Sequence, residues 1–150
     1  MDGIALPYSD VPMELIQRHQ LDSLVHDRGG EREFRFLRRT RRPLLPVWHA
    51  GQLRIVPWGC PAGPLPRNGL TWLRSMENGA WANQEVERVE IPAALGLENG
   101  VWYRVRRGVQ GILAEAKQVV AAYVLVEPSS YYYRIMTRSE RMPLLIGERI

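Results

Sequence analysis

At 150 residues and 17.3 kDa, with 45% hydrophobic and 24% charged residues, the chain has the composition of a folded domain. That length buries a core without metal or disulfide staples, so one domain spanning 1–150 is expected and disorder as the main state is disfavoured. No apolar run approaches the roughly 18–20 residues of a membrane span, and Met1-Asp2-Gly3-Ile4 has no basic start before an apolar stretch, so a soluble, unsecreted protein without a membrane partner is expected.

The single cysteine, Cys60, forms no internal disulfide and has no second Cys to share a metal. This fits a reducing, cytoplasmic setting, with a bacterial or phage-derived nucleoid as one option. The net charge of +4 is local: between Arg28 and Arg42 stand seven Arg against Glu31 and Glu33, a balance of +5, and the remainder sums to −1. Lys117 is the only Lys among the 20 basic residues. Arg offers a planar fork that suits phosphate and carboxylate, so the segment reads either as a polyanion-binding surface or as a solvated strand and loop.

Along the chain, Ser9-Asp10-Val11-Pro12 before Met13-Glu14-Leu15-Ile16 predicts a helix start, with Ser or Asp as cap and Pro in the first turn. Leu15, Ile16, His19, Leu24 and Val25 supply its apolar face, and Gly29-Gly30 ends it. β signals then dominate. Phe34 and Phe36 alternate with Arg35, and Val47-Trp48 and Leu53 to Val56 flank a hairpin turn at His49-Ala50-Gly51-Gln52. Residues 57–70 carry too many Pro and Gly for a helix or central strand and predict a long ordered loop.

Thr71 to Asn78 predicts a short helix capped by Thr71. Strands are expected over Val86 to Ile91, Val101 to Arg107, Val109 to Ala114 and Val119 to Glu127, with Gly108 as a tight turn between the second and third. Ser129 or Ser130 caps a helix from Tyr131 to Arg138. Six or seven strands, a few helices and no regular βαβ alternation predict an α+β fold with a mainly antiparallel, barrel-like sheet.

Common enzyme signatures are missing: there is no Gly-Lys-Ser/Thr phosphate loop, no G-x-G-x-x-G, no H-E-x-x-H and no G-x-S-x-G. His19, His26 and His49 form no close metal pair, and no metal or cofactor is expected. Cys60 reads as a small buried apolar residue ahead of a nucleophile. Tyr131-Tyr132-Tyr133 has the look of a stacking ladder for nucleic-acid bases, but consecutive helical residues point about 100° apart, so the three cannot form one face. At least one of them belongs to the core.

An ordered motif set runs through the chain: Met1-Asp2-Gly3, Val56-Pro57-Trp58-Gly59, Asn83 to Glu87, Ile91-Pro92-Ala93 with Glu98 six residues after Pro92, and Arg141-Met142-Pro143-Leu144-Leu145. In order and spacing it resembles the SRAP (SOS response-associated peptidase) family, whose members read M-C-G, R-W-G-L-V-P, N-A-R-A-E, P-A-D-G-F-Y-E and H-D-R-M-P. The resemblance covers nearly the whole chain. It implies a SRAP-like fold and a covalent sensor of abasic sites in single-stranded DNA. In that chemistry an exposed N-terminal Cys closes a thiazolidine on the sugar aldehyde and also serves autoproteolysis, Asn orients, Glu moves protons and His assists ring opening.

Carried over to this chain, Asn83 matches the Asn and Glu98 the Glu. Asp2 stands where the Cys should be and Ser139 where the His should be. Asp has no thiol and hinders removal of Met1, so cross-linking and autoproteolysis are expected to be lost. Glu85 reverses the charge of the family's Arg in N-A-R-A-E, and Pro57 replaces the basic residue before Trp58.

The reading is a SRAP-like, DNA-damage-associated protein of the SOS type with a degenerate site, binding single-stranded or abasic DNA without a covalent bond. Arg35, Arg38, Arg39, Arg41, Arg42 and Arg141 are its candidate phosphate contacts. Trp58 is either a base-stacking platform or a core residue, the core reading being favoured. Two alternatives stay open: a residual acid/base enzyme using Asp2 and Glu98, and a protein-interaction module with an apolar patch over the 57–70 loop.

Overall fold

The computed structural model describes residues 1–150 and contains two sheets that share one hydrophobic core. The fold is α+β with mostly antiparallel pairing. The five-stranded sheet has the order β2-β3-β1-β8-β9, built from β1 (Gly3–Pro7), β2 (Val25–Arg28), β3 (Glu31–Leu37), β8 (Leu95–Glu98) and β9 (Val101–Arg104). The other runs β12-β11-β10-β7-β4-β5, from β4 (Leu44–His49), β5 (Gln52–Pro57), β7 (Glu85–Pro92), β10 (Gly108–Ala116), β11 (Val119–Pro128) and β12 (Arg141–Pro143). The short β6 (Leu70–Trp72) joins it by a parallel pairing with β11. Three short helices complete the chain: α1 (Met13–Arg18), α2 (Leu73–Glu77) and α3 (Tyr131–Thr137).

Period-two alternation explains the five-stranded sheet. Ile4 and Leu6 of β1 and Phe34 and Phe36 of β3 point into the core, while Arg35 and Leu37 take the opposite face. β1 lies in the middle, with Gly3 paired to Leu37 on one side and Leu97 on the other. A Cβ on Gly3 would sit 2.7 Å from the Leu37 side chain, so the close approach requires glycine. The seven-stranded sheet is covered on both faces. Val124 and Val126 of β11 join the shared core, while Ile112, Tyr123 and Leu125 pack with Cys60, Leu65 and Trp81 beneath the 58–69 loop. This double cover is why β11 reads as an almost unbroken apolar run.

The barrel-like sheet expected from the sequence is present only as a strong curl. The chain just beyond β5 swings back to β11 through a single bridge, Trp58 to Ala122, and Gly59 donates its amide to the Ala122 carbonyl at 3.0 Å. Pro57, the last residue of β5, has no N–H to continue a ladder, so no closed barrel forms.

Several local expectations change as well. The first helix is only Met13–Arg18, because Gln20 turns left-handed (φ 53°), and Leu21–Leu24 forms a 3₁₀ turn leading into β2. Gly29-Gly30 (φ 61° and 92°) is the β2–β3 hairpin turn and not a helix stop. Thr71 lies in β6 and caps no helix; its hydroxyl accepts from the Trp81 indole at 3.0 Å. Gly108 opens β10 against Pro92, and β9 and β10 belong to different sheets. The hairpin at 49–52, the long loop after it and the Ser130 cap of α3, whose Oγ accepts from Tyr133 N at 3.1 Å, form where the residues placed them. No helix is long and apolar enough to cross a membrane.

Candidate functional site

The start of the chain is drawn into the interior at the end of the five-stranded sheet. Asp2 continues the β1 ladder, donating its amide to the Leu97 carbonyl at 2.7 Å and accepting from Arg38 N at 2.9 Å. This places the α-amino nitrogen of Met1 2.7 Å from Oε1 of Glu98, the last residue of β8. Both residues are buried, Met1 being 2% and Glu98 6% exposed. Tyr133 of α3 donates to the same carboxylate oxygen at 3.3 Å, and the Tyr103 and Tyr133 hydroxyls lie 3.0 Å apart with their rings edge to face.

Burial sets the protonation behaviour of this network. It pushes the Met1 amine below its ordinary value, against the opposing pull of Glu98. It also pushes the Tyr103 and Tyr133 phenols up, so both remain neutral donors at any physiological pH. The Met1–Glu98 pair therefore combines a desolvation penalty with a short, well-directed contact.

The chain reversal after Glu98 ties in the other candidate positions. Asn99 and Gly100 (φ 49° and 79°) form a two-residue turn of the kind Asn-Gly favours. Asn99 N donates to Asp2 Oδ2 at 2.8 Å, and its side-chain amide donates to the Thr137 carbonyl at the end of α3 at 2.8 Å. Thr137 in turn accepts from Ser139 N at 3.3 Å, and the Ser139 hydroxyl donates to the Arg141 carbonyl at 2.8 Å. Arg141 is near enough to the Met1 amine to disfavour its charge.

Of the four positions picked out by motif, Asp2 and Glu98 thus lie at one locus, and Ser139 is tied to it indirectly, through Thr137 and Asn99. Asn83 stands apart. It is exposed on the turn before β7 and lines a groove of about 470 Å³ with Pro64, Glu85, Glu115 and Lys117, which shares no residue with the Met1–Glu98 network. The segment Asn83-Gln84-Glu85 feeds β7 into register opposite β10, Glu85 facing Glu115, and this carries Asn83 to the far end of the other sheet. The amide beside Asp2 comes from Asn99 instead.

The arginines divide into two groups. Arg28 and Arg35 both bond to Glu33, at 2.9 and 2.8 Å, and both lie over the Trp102 ring. Arg35 is therefore a neutralised structural residue. Arg38, Arg39, Arg41 and Arg42 have no carboxylate partner; the last three are exposed on the turn between β3 and β4, and Arg38 Nε is buried without an acceptor. Trp58 is 2% exposed, and its indole donates to the Gly69 carbonyl at 2.8 Å. No base has access to its face, so it is a core residue pinned beneath the loop and not a stacking platform.

Other chemistry lies outside this locus. Cys60 is buried under the 58–69 loop with its thiol against the Ala62 carbonyl. His49 Nε2 lies 2.6 Å from the Glu87 carboxylate and Nδ1 lies 3.2 Å from the Arg54 guanidinium. No group of three or more His, Cys, Asp or Glu side chains is placed to hold a metal ion.

The motif spacing missed Asn99, Tyr103, Tyr133 and Thr137. The signal for Asn99 was its following glycine, since Asn-Gly directly after Glu98 marks a hairpin turn that presents both its amides. Compared with protein-family models, curated proteins and solved structures, the chain has no match.

Proposed function

We propose that this protein binds single-stranded DNA, abasic strands included, without forming a covalent bond, using the Arg38–Arg42 turn beside the Met1–Asp2–Glu98 locus. One observation carries the reading: Arg38 donates its amide to the Asp2 carbonyl, so a run of arginines with no carboxylate partner starts at the locus that the motif resemblance marks. Exposed guanidiniums free of internal partners are available to phosphates.

The loss of covalent chemistry is supported by the residues themselves. Asp2 brings a carboxylate in place of a thiol, and that carboxylate already accepts from Asn99 N. Met1 is 2% exposed and its amine is held by Glu98, which disfavours attack on an aldehyde. The two alternatives gain no such support. No hydrogen bond joins the Asp2 and Glu98 carboxylates, each having its own donor, and the 58–69 loop turns its large apolar residues, Trp58 and Leu65, inward.

Fluorescence anisotropy with labelled single-stranded oligonucleotides, with and without an abasic site, tests the reading. Binding that falls steeply with salt, together with no protein–DNA band on a denaturing gel, is the expected result. A denaturation-resistant band with the abasic strand, or no binding to any strand at low salt, overturns it.

A further inference from the structure

The helix α3 carries aromatic and apolar side chains on both faces. Its inward face is committed: Tyr133 is buried in the shared core and reaches Glu98, Met136 packs beside that core, Thr137 Oγ1 donates to the Tyr133 carbonyl at 2.8 Å, and the Thr137 carbonyl accepts from Asn99. Its outward face carries Tyr131, Tyr132 and Ile135, which are 80%, 66% and 64% exposed, more than any other large hydrophobic residue in the chain. A surface helix ordinarily turns such residues to the core and shows polar ones to water. Two nearly bare tyrosines on a helix held at both ends, by Ser130 at its start and Asn99 at its finish, are a fixed feature of the surface and not a frayed end.

We propose that the outward face of α3 is a stacking platform for unpaired nucleic-acid bases, with Tyr131 and Tyr132 each taking one base of a strand whose phosphates lie along the arginines of the Met1–Glu98 locus. The inference rests on the DNA-binding reading above and supplies what that reading lacks, a group that engages bases. Three observations support it.

The platform joins the arginine turn through short links. Arg38 bonds to Asp2, Asp2 to Asn99, and Asn99 to Thr137 at the end of α3. Seven residues separate Tyr131 from Arg138, about 10 Å along a helix, so one strand reaches both.

The charge is predominantly positive, with Glu140 the carboxylate next to it. Arg138 has no carboxylate partner, Arg134 takes Glu140 at 3.5 Å, and Arg38, Arg39, Arg41 and Arg42 lie beyond. This complements a polyanion and repels a second copy of the same face. Two tyrosines at roughly 150–250 Å² each with one isoleucine also fall short of the ~800 Å² per partner of a stable protein–protein interface.

The ring directions select the strand. Adjacent helical side chains diverge by about 100°, so the two rings cannot receive a continuous base stack. Each takes one splayed base, which a single strand offers and a duplex does not.

The test uses the full chain and fluorescein-labelled oligothymidine, measured by anisotropy across a salt series. Tyr131→Ala and Tyr132→Ala are each expected to weaken binding about 5-fold or more, as lost base stacking does, with the slope of log K against log salt unchanged. Tyr131→Phe and Tyr132→Phe keep the ring and are expected to bind like the parent. The Arg39→Gln, Arg41→Gln, Arg42→Gln triple variant, in contrast, is expected to flatten the slope.

If the alanine variants bind like the parent while the triple variant loses affinity, the platform is wrong and the DNA-binding reading stands. If the parent binds no oligonucleotide, both fall. Tyrosine-dependent dimerisation in sedimentation, or equal tyrosine-dependent affinity for duplex, likewise overturns the platform.

Discussion

Tyr133 and Met1 meet on one atom: the phenol donates to Oε1 of Glu98 at 3.3 Å, and the α-amino nitrogen lies 2.7 Å from that same oxygen. Three elements distant in sequence, β1, β8 and α3, are thereby fastened at a single buried carboxylate. Replacing Glu98 by Gln leaves a buried ammonium without its counter-charge, a change that typically costs about 3–5 kcal/mol. Tyr133→Phe removes the hydrogen bond to the Glu98 carboxylate and the one shared with Tyr103, and is expected to cost about 1.5–3 kcal/mol. Urea denaturation followed by circular dichroism ranks the two; a Glu98→Gln variant as stable as the parent contradicts the buried pair.

Asp2→Cys tests the SRAP resemblance by gain of function. Once the initiator Met is removed, the variant carries an aminothiol at the locus beside Glu98. It is expected to form a denaturation-resistant adduct with abasic single-stranded DNA, while the parent forms none. A folded, correctly processed variant that gives no adduct removes the motif argument for this site.

Salt dependence separates the two arginine groups. Each guanidinium withdrawn from a phosphate lowers the salt slope for single strands by about 0.7, so the triple Arg39, Arg41, Arg42→Gln variant is expected to lose about 2 units of slope. Arg35→Gln is expected to leave the slope alone and lower the melting temperature, because Arg35 is committed to Glu33.

Glu33 gives the pH dependence. Burial alone would raise its pKa, but hydrogen bonds from Arg28 and Arg35 outweigh that and hold the carboxyl below its ordinary value. A carboxylate whose pKa is lowered by folding binds fewer protons folded than unfolded, so its stabilisation is full above the ordinary carboxylate range and disappears as pH falls through its folded value. Chemical denaturation at pH 7 is expected to place Glu33→Gln about 2 kcal/mol below the parent, the scale of hydrogen bonds to charged groups. At pH 3 the gap is expected to shrink, and a constant gap would contradict the assignment.

Gly96 probes the packing behind the site. A Cβ there would lie 2.6 Å from the Tyr103 ring, directly under the tyrosine pair. Gly96→Ala is expected to destabilise by about 1–3 kcal/mol and to shift the near-ultraviolet tyrosine signal. An unchanged spectrum would mean the ring moves aside freely.

How much of this was legible in the residues depends on the kind of signal. Alternation in Phe34-Arg35-Phe36, the turn at Ala50-Gly51 and the Ser130 cap are local features, and each produced its expected element. β1 and β8 were missed because they are short and contain small residues, Gly3, Ala5 and Gly96, whose reason is the close approach of a distant neighbour. The helix after Pro12 was overextended because Leu21, Leu24 and Val25 continue an apolar pattern that Gln20 breaks with a left-handed turn, which no propensity reveals.

The site divides in the same way. Asp2, Glu98 and Ser139 were found through ordered motifs; the first two lie at one locus and Ser139 is linked to it through Thr137 and Asn99. Asn83 was assigned by the same logic and lies elsewhere, because its charged neighbours Glu85 and Glu87 belong to the outer reach of β7. Trp58 could be either core or platform from sequence, and only the fit of its indole against Gly69 decides between them.

The central position of β1 also bears on how the polypeptide is made. Ile4 and Leu6 leave the ribosome well before the strand that flanks them on the second side, with Leu97 opposite Gly3 and about ninety residues later in the sequence. At about 5–20 residues per second the nascent apolar strand waits for seconds with one edge unpaired. A translation pause before Leu95 would lengthen that wait, and chaperone demand during synthesis is expected to track it.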